Sequence, residues 1–265
     1  MTLRLRDTAL AWLQAGRPGI VVEVAAARGS VPREAGTRML VGATEVHGTI
    51  GGGHLELKAI ASARQMLAEG ATQALEHHFP LGPALGQCCG GAVTLRWSSL
   101  AEADPATWPA PVPLFTLQLY GAGHVGRAIV ALLAGIACEV QWIDEREDQF
   151  PAEPLPPHIT RLCVEPVEAE VRMAPPGAFY LVLTHSHDLD LAITQAILER
   201  GDFGFLGLIG SATKRARFEH RFEARGIART MIDRITCPIG VSGIAGKAPE
   251  VIAVAVVAQL LQRAG

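Results

Sequence analysis

The chain has 265 residues, which at roughly 150 per domain predicts two domains, or one large one, with enough length to bury a substantial core. Hydrophobic residues at 49% against 18% charged, with 28 Gly and 17 Pro, exclude bulk disorder and a collagen-like repeat. A net charge of −3 with no long basic run argues against nucleic acid as the main partner.

The chain opens on a segment in which Arg6 to Leu13 reads as a short helix. Asp7 interrupts it and no long apolar region or A-x-A site follows, so no signal peptide is expected and a cytoplasmic location is predicted. Gly19 to Ala27 is an apolar strand, and Arg38 to Val41 and Val46 to Ile50 are short strands flanking a turn. After the triple glycine Gly51-Gly52-Gly53, the segment His54 to Glu69 sets Leu55, Ala59, Ile60, Ala63 and Leu67 at helical spacing. Strands at Gln73 to Phe79 and Ala92 to Trp97 bracket the loop LGPALGQCCGG. Together these predict a small α+β domain over residues 1–98. Residues 99–113 carry four prolines and lose apolar periodicity, and they read as a linker.

From residue 114 the pattern becomes strand, helix, strand. Leu114 to Leu119 leads into YGAGHVG, a helix runs to about Leu133, and Glu139 to Ile143 forms the next strand, ending at Asp144. Further strands are expected at Arg161 to Val164, Ala178 to Thr184 and Gly204 to Ile209, and helices at Asp188 to Glu199 and Ala212 to Ala224. The last helix begins near Pro249. Its apolar run, Val251 to Leu261, falls short of the roughly 18 residues of a membrane span and reads as a buried helix. This alternation predicts an α/β chain whose residues 114–265 form a Rossmann-like domain with a parallel sheet covered on both faces.

Five loops carry candidate chemistry. Gly121, Gly123 and Gly126 follow a strand and open a helix, with Asp144 ending the next strand. This is the context of a dinucleotide site: glycines let the backbone approach phosphate, and a carboxylate meets a ribose hydroxyl. It supports a Rossmann fold far better than it supports redox chemistry, because one fold hosts many functions. His185, His187 and Asp188 lie near a strand's carboxyl end and partly match a metallohydrolase pattern, but Leu189 and Asp190 stand where further ligands belong. These side chains either line the crevice or cap a helix. Lys214, with Arg215 and Arg217, opens a helix whose dipole opposes cations, which suggests an anion between them and the backbone; a solvated basic face is the alternative. Gly51, Gly52, Gly53 and His54 form a turn of the kind that makes an anion-binding nest, with Arg33 and Arg38 as candidate counter-charges. Gln87, Cys88 and Cys89, followed by Gly90 and Gly91, put an adjacent thiol pair in a glycine-rich loop, where accessible thiols are expected. With five cysteines, no C-x-x-C and no signal peptide, reduced thiols are expected and a structural zinc site is not.

The segments VPREAGTRMLV, GTIGGGHLE, LGQCCGG, YGAGHVGRA, WIDEREDQF, VLTHSHDLD, LGLIGSATKRARF and CPIGVSGIAGKAPEVIA resemble, in the same order, those of the XdhC family of xanthine dehydrogenase accessory proteins. The resemblance covers nearly the whole chain. It implies a carrier that binds the molybdenum cofactor, holds it while a terminal oxo ligand is exchanged for sulfido, and delivers it to the molybdenum-binding subunit of xanthine dehydrogenase. It also implies a cysteine desulfurase as sulfur donor, and a homodimer. On that reading Arg38, Gly51, Gly52, Gly53, His54 and Gln87 contact the cofactor, and Cys88 or Cys89 approaches molybdenum or accepts sulfur. Gly121, Gly123, Gly126, Asp144, His185 and Lys214 hold a nucleotide or part of the cofactor. The chief alternative is an NAD(P)-dependent oxidoreductase built on the second domain. A metal-dependent hydrolase using His185, His187 and Asp188, and a non-catalytic interaction protein, are the others.

Overall fold

The computed structural model describes residues 3–71, 73–81, 90–109 and 112–265, with residues 3 and 4 as backbone alone. The chain divides into two compact units, residues 1–111 and 112–265.

The first unit is a five-stranded antiparallel sheet in the order β3-β2-β1-β5-β4, built from β1 (Ile20–Arg28), β2 (Arg38–Val41), β3 (Val46–Gly48), β4 (Leu75–Pro80) and β5 (Ala92–Ser99). Helix α1 (Leu3–Gln14) lies on one face and α2 (Gly53–Glu69) on the other. The two-residue period of β1 explains this layering. Val22 and Val24 pack with Leu55, Ala59, Ala63 and Met66 of α2, while Val21 packs with Leu5, Ala9 and Trp12 of α1. A strand covered on both faces reads as an almost unbroken apolar run, as Ile20 to Ala27 does. Trp97 of β5 is fully buried and its indole N–H donates to the carbonyl of Ala59 at 3.0 Å, fixing α2 on the sheet.

The segment expected to be a linker is largely part of this unit. β5 continues through Ser99, a 3-10 turn forms at Pro105–Thr107, and Leu100 and Trp108 are buried against α1. Arg6 donates to the carbonyls of Pro105 and Ala106. Periodicity fails here because the segment is held by isolated anchors, which no helical or strand repeat reveals.

The second unit has a six-stranded parallel sheet in the order β11-β10-β9-β6-β7-β8. Its strands are β6 (Thr116–Tyr120), β7 (Glu139–Asp144), β8 (Ile159–Cys163), β9 (Phe179–Val182), β10 (Phe205–Leu208) and β11 (Ile235–Thr236). The chain builds outward from β6 through β7 and β8, then returns to the other side of β6 with β9, so the strand order reverses between β6 and β9. That is the doubly wound arrangement, with its crevice at the reversal point. Helices α3 (His124–Leu133) and α7 (Pro249–Ala264) cover one face, packing Ile129, Leu133, Val256 and Leu260 on Leu117, Leu119 and Trp142. Helices α4 (His187–Arg200) and α5 (Ala212–Ala224), with a 3-10 segment at Val167–Met173, cover the other, on Tyr120, Tyr180 and Val182. Helix α6 (Arg229–Ile232) and β11 are too short for a sequence pattern to announce. The expected burial of α7 holds for one face only: Val254 and Leu261 are exposed.

Candidate functional site

The glycine loop after β6 holds three glycines, and packing accounts for two of them. A Cβ at Gly121 would stand 2.3 Å from the carbonyl oxygen of Leu183, and one at Gly126 would stand 2.1 Å from the carbonyl oxygen of Gly121. Both glycines therefore serve the packing of the loop against β9 and of α3 against the loop. Gly123 has neither reason: a Cβ there meets nothing within 4 Å, and its φ of −70° suits any residue. Gly123 is also the N-cap of α3, and no side chain caps that helix. By contrast, Ser186 caps α4 by accepting from the Leu189 amide, and Ser211 caps α5 by accepting from the Lys214 amide. The α3 N-terminus is thus the least protected of the three, with open space above it, as approach of a phosphate requires.

Asp144 ends β7 as the sequence predicts, but its carboxylate is used internally. The side chain is 3% exposed. One oxygen accepts from the Ala122 amide at 2.7 Å and from Arg146 Nη2 at 3.0 Å, and the other accepts from the Arg146 amide and Nε. Burial pushes this carboxyl up, and the Arg146 guanidinium with the amides of Ala122 and Arg146 more than offsets it, so its pKa lies below the ordinary value. In this geometry Asp144 clamps the glycine loop, and the ribose-facing carboxylate that a dehydrogenase needs is not presented. Arg146, two residues on, was missed from sequence; the Asp-x-Arg spacing at a strand end was the available signal.

His185 sits after β9, with Nε2 3.6 Å from Glu145. Asp188 is 93% exposed and faces Arg221 at 3.8 Å. Among the described residues no group of three metal-binding side chains converges, and the hydrolase alternative gains nothing from the geometry. Lys214 does not wait for an outside anion to neutralise it. Its ammonium donates to Asp190 Oδ2 and to the Ile209 carbonyl, while Asp190 Oδ1 accepts from the amide and hydroxyl of Thr184. Thr184, His185, Ser186, His187, Ile209, Gly210 and Ser211 join this pair around a cleft of about 300 Å³.

In the first unit the triple-glycine turn does make a nest. Gly51, Gly52 and Gly53 all have positive φ, which glycine alone adopts readily. The nest is already filled. Glu56, one turn into α2, accepts with one oxygen from the Ile50 amide (2.9 Å), the Gly52 amide (3.1 Å) and the Thr49 hydroxyl. His54 lies in the first turn of α2. Arg38 is likewise committed. It forms a two-pronged ion pair across the β1–β2 ladder with Glu23, both bonds 3.1 Å, and lies 5.0 Å over the Trp108 ring. The phosphate role expected for Arg38 and this turn therefore meets an internal carboxylate at each.

Gln87, Cys88 and Cys89 lie outside the described residues. The three described cysteines are poor thiolate candidates. Burial pushes Cys138 up to about 12 and raises Cys237, and desolvation with the neighbouring Glu147 raises Cys163.

Fold and site define a two-domain α/β protein with an open doubly wound domain and an uncapped glycine loop at its reversal point. The XdhC Rossmann domain matches residues 117–260, and the XdhC and CoxI family matches residues 12–79. The chain belongs to the XdhC and CoxI family. It is similar to a protein named YqeB of Escherichia coli (strain K12), 30% identical over 252 residues, which are 92% of this chain. The match spans only 43% of that relative's length. A solved structure described as a xanthine dehydrogenase from Bacillus halodurans has the same fold, with a TM-score of 0.73 at 19% identity over 99% of this chain and 96% of that one. Among the described residues no helix is long and apolar enough to cross a membrane.

Proposed function

We propose that this protein is an accessory factor in xanthine dehydrogenase maturation, which binds the molybdenum cofactor as cargo, holds it during sulfuration and hands it to the apo-enzyme. Membership of the XdhC and CoxI family supports the accessory role. The observation that carries the binding reading is Gly123. Neither backbone conformation nor internal packing requires a glycine there, and the uncapped α3 N-terminus beneath it suits the phosphate of a pterin cargo. The locked state of Asp144 makes the oxidoreductase alternative the weaker one.

On this reading Cys88 and Cys89 supply the sulfur-tolerant contact for molybdenum, a soft-ligand preference. The sulfur arrives from a cysteine desulfurase as a persulfide passed at a protein interface; a dithiol-level reductant supplies the two electrons that bring its outer sulfur to sulfide, the displaced oxo leaves as water, and two copies of the chain form the carrier. Delivery requires that the molybdenum-binding subunit of xanthine dehydrogenase hold the cargo more tightly than the carrier, so carrier affinity is moderate.

The test is reconstitution. Apo protein is mixed, without oxygen, with released molybdenum cofactor; the complex is isolated and added to cofactor-free xanthine dehydrogenase. Restored activity from the isolated complex supports the carrier, and absence of cofactor in it removes the proposal. Repeating the assay with Cys88→Ser and Cys89→Ser assigns the thiol, and full transfer by both variants takes the cysteines out of the scheme.

A further inference from the structure

Strand β4 closes one side of the first unit's sheet and is the longest of the four edge strands in the two sheets. It has six residues, against three for β3, five for β8 and two for β11. All of them but Phe79 are exposed, and none is a lysine or arginine. Such an edge offers backbone groups to another strand unless charge, shortness or a covering element blunts it. The ladder on its inner side fixes which groups those are. The Leu81 amide donates to the Gly91 carbonyl at 2.8 Å, and the register runs unbroken from Leu75 opposite Trp97 to Pro80 opposite Ala92. Bonding alternates along an antiparallel pair, so Leu75, His77 and Phe79 bond to β5, while the N–H and C=O of Glu76 and His78 point to the open side. Pro80, at the strand's end, presents a carbonyl alone there.

The side chains of this edge are complementary to themselves. Leu75, His77 and Phe79 share one face with Trp97. The His77 ring stacks on Phe79 at 6.2 Å and meets Trp97 edge-on at 5.9 Å, and Leu75 is left 39% exposed. Glu76 and His78 share the other face. Glu76 lies opposite Arg96 in the ladder, but Arg96 pairs with Glu102, so Glu76 has no ion-pair partner among the described residues. His78 Nδ1 is 3.3 Å from Thr94 Oγ1, which leaves its Nε2 unengaged. When a second copy of β4 lies antiparallel to the first about a two-fold axis at His77, Glu76 stands opposite the partner's His78, and Leu75 opposite the partner's Phe79. Each match occurs twice. Glu76 and His78 are also the residues with open backbone groups, so each of those pairs exchanges both N–H···O bonds. An axis at His78 would instead set Glu76 against the partner's Pro80, which has no N–H to give.

We infer that β4 is the docking edge for a second copy of this chain, the two strands pairing antiparallel about a two-fold axis at His77 and joining the two sheets into one. The matched charges on one face and the matched apolar side chains on the other select a second copy over an unrelated strand. The paired strands are short, so the interface is small and the dimer dissociates reversibly. The inference gives a face to the two-copy arrangement of the proposed carrier and rests on that part of the reading alone. It is tested without the molybdenum cofactor, so failure of this interface and failure of cargo binding are read separately.

The experiment is sedimentation velocity of the full chain over a concentration series at neutral pH, where a monomer–dimer equilibrium is expected. Glu76→Lys removes the attraction across the axis, and His78→Glu sets carboxylate against carboxylate. Because each pair occurs twice, each change is expected to raise the dimer dissociation constant about tenfold. The double variant, Glu76→Lys with His78→Glu, restores opposite charges in exchanged positions and should recover most of that loss. A residue that only supports its own strand would give no such rescue, and thermal melts check that all three variants fold. His77→Cys supplies an independent readout. Opposed residues of a non-bonded antiparallel pair lie about 4.5 Å apart at Cα, within disulfide reach, so mild oxidation should yield a peptide cross-linked between the two copies of position 77, identified by mass spectrometry. A chain that stays monomeric throughout the series overturns the inference. A dimer unmoved by either single change, or loosened by both with no recovery in the double variant, overturns it too.

Discussion

Asp144 accepts a 2.7 Å hydrogen bond from the amide of Ala122, tying the end of β7 to the middle of the glycine loop that follows β6. The bond turns a carboxylate expected to face a ligand into part of the scaffold that shapes the ligand loop. It also explains why Arg146 stands two residues on, since its guanidinium satisfies the same carboxylate from the solvent side.

Asp144→Asn is expected to destabilise the second unit by about 3 kcal/mol, within the range for breaking one side of a buried charged pair. The pH dependence has a definite sign. The folded carboxyl lies below its ordinary value. Its contribution is therefore complete above the unfolded pKa, near 3.9, and is lost as pH falls through the folded value. Denaturant melts of native protein and variant should differ most at neutral pH and converge below about pH 4. A gap that stays constant down to acid pH would show that the charge is not what matters.

The three glycines of the loop separate packing from binding. Gly121→Ala and Gly126→Ala each force a Cβ against a carbonyl oxygen, at 2.3 Å and 2.1 Å, and both should cost several kcal/mol, roughly the range of overpacked or strained sites. Gly123→Ala fills open space at an ordinary φ and should cost only about 1 kcal/mol, the scale of the preference for Gly over Ala at an N-cap. It should nonetheless impair uptake of the molybdenum cofactor. Thermal melts beside a cofactor-retention assay read the split, and a Gly123→Ala protein that melts as early as the other two would refute it.

Much of this fold was legible. The α5 bounds, Ala212–Ala224, and the β2 bounds, Arg38–Val41, agree between sequence and structure, because a polar amphipathic run and a turn-flanked apolar run are local signals. The Gly121 to Gly126 loop and Asp144 were found for the same reason. The internal role of Asp144 was not, since the partner of a carboxylate is a tertiary fact. Lys214 and Asp190 are 24 residues apart and meet only because β9 and β10 are neighbours in the sheet. The sequence shows Glu56 as the end of a glycine-rich motif, but only the fold shows its carboxylate inside the turn.

Trp108 tests the corrected boundary. A tryptophan in a free linker tolerates truncation, whereas this one is buried with Leu5, Ala9 and Trp12 and donates its indole N–H to the Ala103 carbonyl at 2.8 Å. Trp108→Ala should cost the first unit about 3–5 kcal/mol, as large aromatic truncations in cores do. Chemical denaturation followed by circular dichroism measures it, and a cost under about 0.5 kcal/mol would return the segment to linker status.

Glu56 provides the sharpest test of the first unit. Its carboxylate takes the place in the Gly51 to Gly53 nest that an outside anion would take, accepting from two amides and the Thr49 hydroxyl. Glu56→Ala leaves those donors without their partner and should cost about 2–3 kcal/mol, the scale for hydrogen bonds to a charged group. If the nest is an anion site by geometry, sulfate or phosphate should recover much of that loss in the variant, by binding the folded state where the carboxylate had been. The native protein should gain far less from the same salt, and chloride at matched ionic strength controls for screening. Equal stabilisation of both proteins by sulfate would mean that the turn is built around the glutamate side chain and holds no anion of its own. Selective rescue would instead show that the turn's amides hold an outside anion once the side chain is removed, and that Glu56 competes for the same donors.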